Sequence, residues 1–335
     1  MKLTLARKSK MQLKLLLSKV EFARAYRTYT KTGVSPANSE HLLHYATWAT
    51  SGVFPRLYSL KFRNPLSEKF LESTADNYFA SLVPSVAASE IARHGFYLIP
   101  DLLPESLIDS LLSHLENGIT HPRGMEVDDF TPGKPNSKYP TWWMNTDEIL
   151  KSSSVQTLLC ERNVIRTAHE YLKSRPQIMS LAMWKSFSGF GTDANASQKF
   201  HFDNDRANFI KLFVYLTDVS EDNGPHTFVE GSHMKKPKAL LHGEKLEDSE
   251  VLEFYAESKL KVITGKKGQA FFADTAGFHK GTKVLKESRA IFQINFATDD
   301  FGAFNKDRAN KSSLDQSTQI LDNLEPSYFE SVLKD

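Results

Sequence analysis

The chain has 335 residues, 40% of them hydrophobic, and its 42 Lys and Arg against 40 Asp and Glu leave a formal net charge of +2. That length is ample for one large core or for one domain with appendages, and the near-neutral balance predicts no nucleic acid or other polyanionic partner. No run is long and apolar enough to span a bilayer, and the single cysteine, Cys160, excludes an intramolecular disulfide and points to a reducing cytoplasmic setting.

In chain order, Lys2, Arg7, Lys8, Lys10, Lys14 and Lys19 all precede the first acid, Glu21. With Leu13, Leu15, Leu16, Leu17 and Val20 they predict a basic amphipathic helix, either docked and solvated or contacting a membrane surface or a partner. No secretory signal pattern follows it. Ser35-Pro36-Ala37-Asn38-Ser39, Asn64-Pro65 and Val83-Pro84-Ser85 punctuate the chain, so residues 1–84 are expected to form a helical N-terminal extension to a domain over 85–305, with a helical tail at 306–335. Gly95 to Leu103 predicts a strand and turn. Ser106, Leu107, Leu111, Leu112 and Leu115 then have helical spacing, with Pro104 at the entrance. Between Pro122 and Asn145 periodicity is lost among Pro132-Gly133, Pro135-Asn136, Tyr139, Pro140, Trp142 and Trp143, which reads as an ordered flap or as a core-packed crossover. Cys160 closes an apolar stretch and reads as a packed side chain.

The second half turns to short strands. Phe209 to Leu216 is rich in β-formers, Asp222-Asn223-Gly224-Pro225 is a turn, and Phe228-Val229 precedes the Gly231-Ser232-His233 turn. Gly268 to Asp274 and Ala290 to Phe296 predict two more strands, the second opened by Arg289. Across this pattern lie His201-Phe202-Asp203 and His279. In an extended segment residues two apart share a face, so His201 and Asp203 can bind one metal while Phe202 points away. A distant histidine completes a 2-His-1-carboxylate set, which suits ferrous iron and leaves coordination positions open. His226 and His233 compete for the third place. His279 is preferred because it follows a strand ending in a turn and precedes Arg289 by ten residues.

From Gln198 to His233 the chain reads QKFHFDNDRANFIKLFVYLTDVSEDNGPHTFVEGSH, and this stretch resembles the phytanoyl-CoA dioxygenase family of Fe(II)/2-oxoglutarate oxygenases. Gly95 to Leu103 and the helix after it are similar to the start of that family's core, so the resemblance covers roughly Ser85 to Thr298. It implies an α+β chain with a mainly β core: a double-stranded β-helix, or cupin-like jelly roll, flanked by helices. It also implies Fe(II), 2-oxoglutarate as cosubstrate and O2, with His201, Asp203 and His279 as catalytic metal ligands. Arg289 matches the position that binds the far carboxylate of 2-oxoglutarate, a role suited to guanidinium; the alternative is an exposed strand-edge arginine. Thr282 is a further candidate for that carboxylate, although relatives place a serine where Gly281 stands. Phe213 aligns with an aromatic cosubstrate contact. Lys211 shares its strand face and must either snorkel outward or meet a carboxylate. Trp184 and Gln198 are pocket candidates, with Trp184 read as core.

The implied reaction hydroxylates or otherwise oxidises a C–H bond of a small-molecule substrate, releasing succinate and carbon dioxide. Halogenating relatives carry a small residue at the carboxylate position, so Asp203 favours hydroxylation, desaturation or ring formation. The competing readings are a metal-dependent isomerase or lyase on the same barrel, which has no need of Arg289, and a non-catalytic barrel binding protein. Nucleic-acid dealkylation calls for a second arginine after Arg289, and residues 290–298 contain no basic residue.

Overall fold

The computed structural model describes residues 5–75, 78–123, 132–190, 198–242, 245–302 and 307–334, with side chains described from residue 17 onward. Three helices open the chain: α1 (Leu5–Thr32), α2 (Ser39–Thr50) and α3 (Val53–Ser59). Most of the basic residues that define the amphipathic reading of α1 fall outside the described side chains, while Leu17 and Val20 are about half exposed. The helices bury Phe22, Tyr26, Leu42, Leu43 and Tyr58 with Phe301 from the other end of the chain. The Tyr26 hydroxyl donates to Asp299, and the Tyr29 hydroxyl donates to Asp300 at 2.6 Å.

There follow α4 (Glu68–Glu72), α5 (Pro84–His94), β1 (Phe96–Leu102), α6 (Glu105–Asn117), β2 (Thr120–Arg123), β3 (Thr141–Met144), α7 (Thr146–Leu150), α8 (Ser153–Leu159), α9 (Arg162–Leu172) and β4 (Gln177–Phe187). The remainder comprises β5 (Phe209–Tyr215), β6 (His226–Val229), α10 (Asp248–Leu252), β7 (Leu260–Ile263), β8 (Gln269–Ala273), β9 (His279–Gly281), β10 (Ser288–Ala297) and α11 (Gln316–Leu324). The larger sheet has the order β1-β8-β5-β10-β4-β3-β2 and the smaller β7-β6-β9, with antiparallel pairing throughout both. Non-sequential neighbours and a second, smaller sheet make this a double-stranded β-helix with helices on the outside of the larger sheet.

Both faces of the larger sheet are covered. Ile210, Leu212 and Val214 of β5 meet Phe272, Phe292 and the helical residues Ile108, Leu111, Ile165 and Ala168 on the outer side. Phe213 and Tyr215 face inward with Trp184, Phe271, Ala273 and Ile291. Period-2 alternation is therefore hidden in β5, because each face buries apolar side chains for a different reason. Cys160 is packed in the outer core and burial pushes its thiol up to about 12. The C-terminal residues Tyr328, Phe329, Val332 and Leu333 join the same core.

Gly95 ends α5 in a left-handed conformation (φ +92°) and lets β1 approach the smaller sheet. A Cβ there would stand 2.5 Å from the Phe228 ring and 2.7 Å from His233, so no other residue fits without displacement.

The N-terminal helices are fastened to the barrel by a buried charge. Asp274, fully buried after β8, accepts hydrogen bonds from Arg56 of α3 and Tyr171 of α9, each at 2.5 Å, while Arg56 also lies across the Tyr171 ring. Burial opposes ionisation of Asp274, but the Arg56 guanidinium and the neighbouring donors outweigh it and hold the carboxyl below its usual range. Removing one member of such a pair strands the other in low dielectric. Asp274→Ala is expected to lower unfolding free energy by about 3–5 kcal/mol, read from denaturant titration; a loss under about 1 kcal/mol, in the range of an exposed ion pair, would show that Arg56 does not fasten α3.

Candidate active site

The HxD segment sits beside β9, joined to it by a single antiparallel bridge between His201 and His279. His201 N–H donates to the His279 carbonyl at 3.0 Å, His279 N–H returns a bond to the His201 carbonyl at 2.8 Å, and Asp203 N–H donates to Thr275 at 2.8 Å. This pairing makes a sequence separation of nearly eighty residues into direct contact. The ring centroids of His201 and His279 stand 4.3 Å apart. His201 Nε2 lies 3.9 Å from Asp203 Oδ1 and His279 Nε2 3.6 Å from Asp203 Oδ2, too far for direct hydrogen bonds. One donor atom from each of the three residues lies within 4.8 Å of the others.

The second nitrogen of each ring fixes its chemistry. His201 Nδ1 meets the Lys199 carbonyl at 2.9 Å and His279 Nδ1 the Gly277 carbonyl at 3.0 Å. A carbonyl can only accept, so Nδ1 carries the proton in each neutral ring and the Nε2 lone pairs turn towards Asp203. Burial first, then the neighbouring His201, lowers His279 to about 3, keeping it a neutral donor. Burial works against ionisation of Asp203, but Lys211, His279 and His201 together hold its carboxyl far below the usual range. Two imidazole lone pairs and one carboxylate, each already oriented by the fold, form a donor set that fits a divalent first-row metal.

Lys211 does not snorkel. Its ammonium is 2.6 Å from Asp203 Oδ2 and 2.8 Å from Asp205 Oδ2, and these acids hold it protonated despite burial. The β5 face carrying Phe209, Lys211, Phe213 and Tyr215 is thereby settled as the inner one.

A cavity of about 240 Å³ runs inward from the donor set, with Lys211, Phe213, His226, Gly281 and Arg289 on its walls. Arg289 is the second residue of β10 and is buried (6% exposed) rather than stranded at an edge. Its Nη1 donates to the Gly224 carbonyl, its Nε has no partner, and no carboxylate among the described residues pairs with it. Gly281 makes room for it: a Cβ there would stand 3.3 Å from the guanidinium. Phe213 stacks on Phe271 at 5.0 Å. Thr282 is directed elsewhere, because its hydroxyl donates to the Pro225 carbonyl at 2.6 Å and the residue does not line this cavity. His226 is not in the donor set; it stacks against His279 at 5.2 Å with a buried, unpartnered Nε2, and burial followed by His279 and Arg289 keeps it neutral. His233 is hydrogen-bonded to the Ala92 carbonyl at 3.2 Å.

The expected flap is different in form. Trp142 and Trp143 lie in β3, paired to β4 near the edge of the larger sheet, and residues 124–131 of the flap lie outside the described ones. Alternation then divides the pair. Trp143 faces the cavity and stacks on Trp184 at 4.8 Å, with the Arg123 guanidinium 4.1 Å from its ring; Trp142 turns away and donates to the Asn136 carbonyl. Trp184 is a cavity residue as well as a core one, whereas Gln198 does not line this cavity. Residues not foreseen are Arg123, Ile291 and Gln293. The last two follow from Arg289 by strand parity, two and four residues on. Arg123 had no such signal.

An antiparallel two-sheet barrel that carries a His-Asp-His donor set and an unpaired arginine in one cavity is of the non-haem, metal-dependent oxygenase type. Residues 91–289, more than half of the chain, match the phytanoyl-CoA dioxygenase (PhyH) family, and the chain belongs to that family. It is an Fe(II)/2-oxoglutarate-dependent enzyme whose cofactors are Fe(II), 2-oxoglutarate and O2. Among solved structures it is similar to the α-ketoglutarate-dependent epimerase SnoN from nogalamycin biosynthesis (16% identity, 64% of this chain and 82% of that one, TM-score 0.47). It is also similar to HygX from Streptomyces hygroscopicus with nickel, 2-oxoglutarate and hygromycin B bound (15%, 67% and 90%, TM-score 0.46), and to EctD from S. alaskensis (14%, 67% and 81%, TM-score 0.44). None of the curated proteins matches. No helix among the described residues is long and apolar enough to cross a membrane.

The opposite settings of the two β3 tryptophans separate their effects. Trp142→Ala is expected to cost about 3–5 kcal/mol of stability, the range for emptying a buried aromatic site. Trp143→Ala is expected to lower substrate turnover more than stability. Melting curves and turnover of both variants check this, and equal losses of both properties in the two proteins would show that β3 has no separate cavity-facing role.

Proposed function

We propose that this protein oxidises a C–H bond of a small-molecule substrate, with His201, Asp203 and His279 as the iron ligands and Arg289 as the anchor for the far carboxylate of 2-oxoglutarate. The observation that carries this reading is the buried Arg289 guanidinium, which has no acidic partner among the described residues and shares a cavity with the three donors. A buried cation without a counter-ion is costly, and a dicarboxylate cosubstrate supplies the missing charge. An isomerase or lyase on the same barrel has no use for it.

When bound, Fe(II) with 2-oxoglutarate and O2 supplies the oxidising power, and decarboxylation of the cosubstrate gives succinate and carbon dioxide. The chain's own residues prepare that chemistry. Nδ1 of His201 and of His279 is held by backbone carbonyls, so both Nε2 atoms stay unprotonated and aimed. Lys211 keeps Asp203 ionised and fixes one of its oxygens. Phe213, Trp143 and Ile291 exclude water from the cavity walls, which strengthens the grip of Arg289 on a carboxylate. Thr282 supports the wall through Pro225 and is assigned no contact with the cosubstrate. With Asp203 present as a ligand, hydroxylation, desaturation or ring formation is favoured over halogenation. The near-neutral chain and the absence of basic residues at 290–298 support a small molecule over nucleic acid as substrate.

Alanine at His201, Asp203 or His279 is expected to abolish stoichiometric Fe(II) binding and succinate release, whereas His233→Ala retains the iron. Arg289→Ala is expected to keep the iron and raise the apparent KM for 2-oxoglutarate at least about tenfold, since a charge-assisted hydrogen bond contributes roughly 1.5–3 kcal/mol. Metal analysis and succinate assays read both. Full activity in His279→Ala, or an unchanged KM in Arg289→Ala, would remove the respective assignment.

A further inference from the structure

Asp203 forms part of the wall of a second cavity, of about 220 Å³, on the side away from Arg289. Its other walls come from α2 and α3, from the loop after the HxD segment, and from the stretch following His233. Val53 and Leu57 of α3 line it together with Phe209 and Met234, so much of the lining is apolar. The volume suits a small molecule, below the size of most drug-like ligand sites.

Lys236 is the exception in this lining. It is 3% exposed, and no hydrogen bond or ion pair to its ammonium occurs among the described residues; its one close partner is the Phe202 ring, whose centroid lies 5.0 Å from Nζ. Phe202 stands between His201 and Asp203, which places the ammonium beside the iron-binding segment. Two other charges on these walls are matched. Asp203 is held by Lys211, and Arg56 by Asp274. Arg206 adds a second positive group, its Nε buried and unpartnered while its Nη1 donates to the Asp205 carbonyl. His233 also lines the cavity, with Nδ1 unpartnered. Burial, opposed in part by Asp274, brings the Lys236 ammonium down to about 8. A buried cation next to a cavity, with no acid paired to it among the described residues, is a site for an anion.

We propose that this cavity binds the prime substrate, that the substrate is a small organic anion with a carboxylate or phosphate head on an apolar body, and that Lys236 pairs with that head. The apolar body lies against Val53, Leu57 and Met234, so the N-terminal helices form part of the substrate site. This assignment rests on the oxygenase reading of the neighbouring donor set.

The test uses the full chain loaded with Fe(II) and saturating 2-oxoglutarate under anaerobic conditions, so that Arg289 is occupied. Affinities for hexanoate, hexyl phosphate and 1-hexanol are measured by calorimetry on the wild type, Lys236→Met and Lys236→Arg. One of the two anions is expected to bind wild type at least about tenfold tighter than hexanol, and the tighter one identifies the head group. Lys236→Met should erase that preference and Lys236→Arg retain it, with 2-oxoglutarate affinity unchanged in both. Equal binding of anions and hexanol by wild type, or a preference that survives Lys236→Met, overturns the proposal. If Lys236→Met does not fold, Leu57→Trp fills the same cavity from α3; loss of anion binding then upholds the site and retained binding overturns it. The visible charge-transfer band of Fe(II) with 2-oxoglutarate is recorded in the same samples. Its failure to form in wild type counts against the donor set, whereas its formation without an anion preference counts against Lys236 alone.

Discussion

The carboxylate of Asp203 stays ionised although it is half-buried between two cavities, and much of the surrounding structure meets that demand. Desolvation alone would protonate it. Lys211, reaching up from β5, supplies the opposing charge at 2.6 Å, and the polar faces of two imidazoles add to it. Lys211 in turn cannot be buried without acids of its own, which Asp203 and Asp205 provide. These groups are mutually dependent, so none has an independent stability contribution that single substitutions would isolate. A divalent ion placed among them adds the largest local charge and strengthens the same arrangement.

Backbone pairing makes this cluster reproducible. Two hydrogen bonds exchanged between His201 and His279 fix the register of the HxD segment against β9, and a slip of one residue would turn Phe202 into the site and both ligands out of it. The apolar contacts on the far side of that segment, Phe202 against Phe278 and Phe200 inside its own small cluster, oppose such a slip. Register, rather than any single side chain, thus determines which groups make up the donor set.

Much of the donor set was legible because strand parity and order along the chain are local properties. His201 and Asp203 needed only the period of an extended chain, and the strands at 209–215, 269–273 and 288–297 were close to those expected from composition. The inner face of β5 was not legible, since an apolar run covered on both sides has no alternation to read. Lys211 shows the same limit: a lysine in such a run meets an acid or reaches water, and the choice depends on a carboxylate eight residues back that folding brings alongside. The strand that holds the tryptophan pair was not legible, because prolines and glycines before it conceal its four residues, and so the choice between flap and crossover stayed open; once in a sheet, neighbouring residues must face opposite ways.

The unpaired cations behave differently from all of these. Lys236 looks ordinary in the sequence, in a basic stretch, and although the resemblance singled out Arg289, nothing local marks either as lacking a partner. Their character appears only when every neighbouring acid is matched to another group: Asp274 to Arg56 and Tyr171, Asp203 to Lys211, Asp248 to Lys280. What remains, among the described residues, is Lys236 in one and Arg289 in the other of two cavities that share Asp203 as a wall, each without an ion pair. A fold selected only for stability has little reason to leave ammonium and guanidinium groups buried and without an ion pair on both sides of its His-Asp-His donor set. With the roles proposed for Arg289 and Lys236 the same arrangement suits an enzyme that holds two anions around one iron and keeps them apart, because each anion would complete a charge pair that the protein leaves half built.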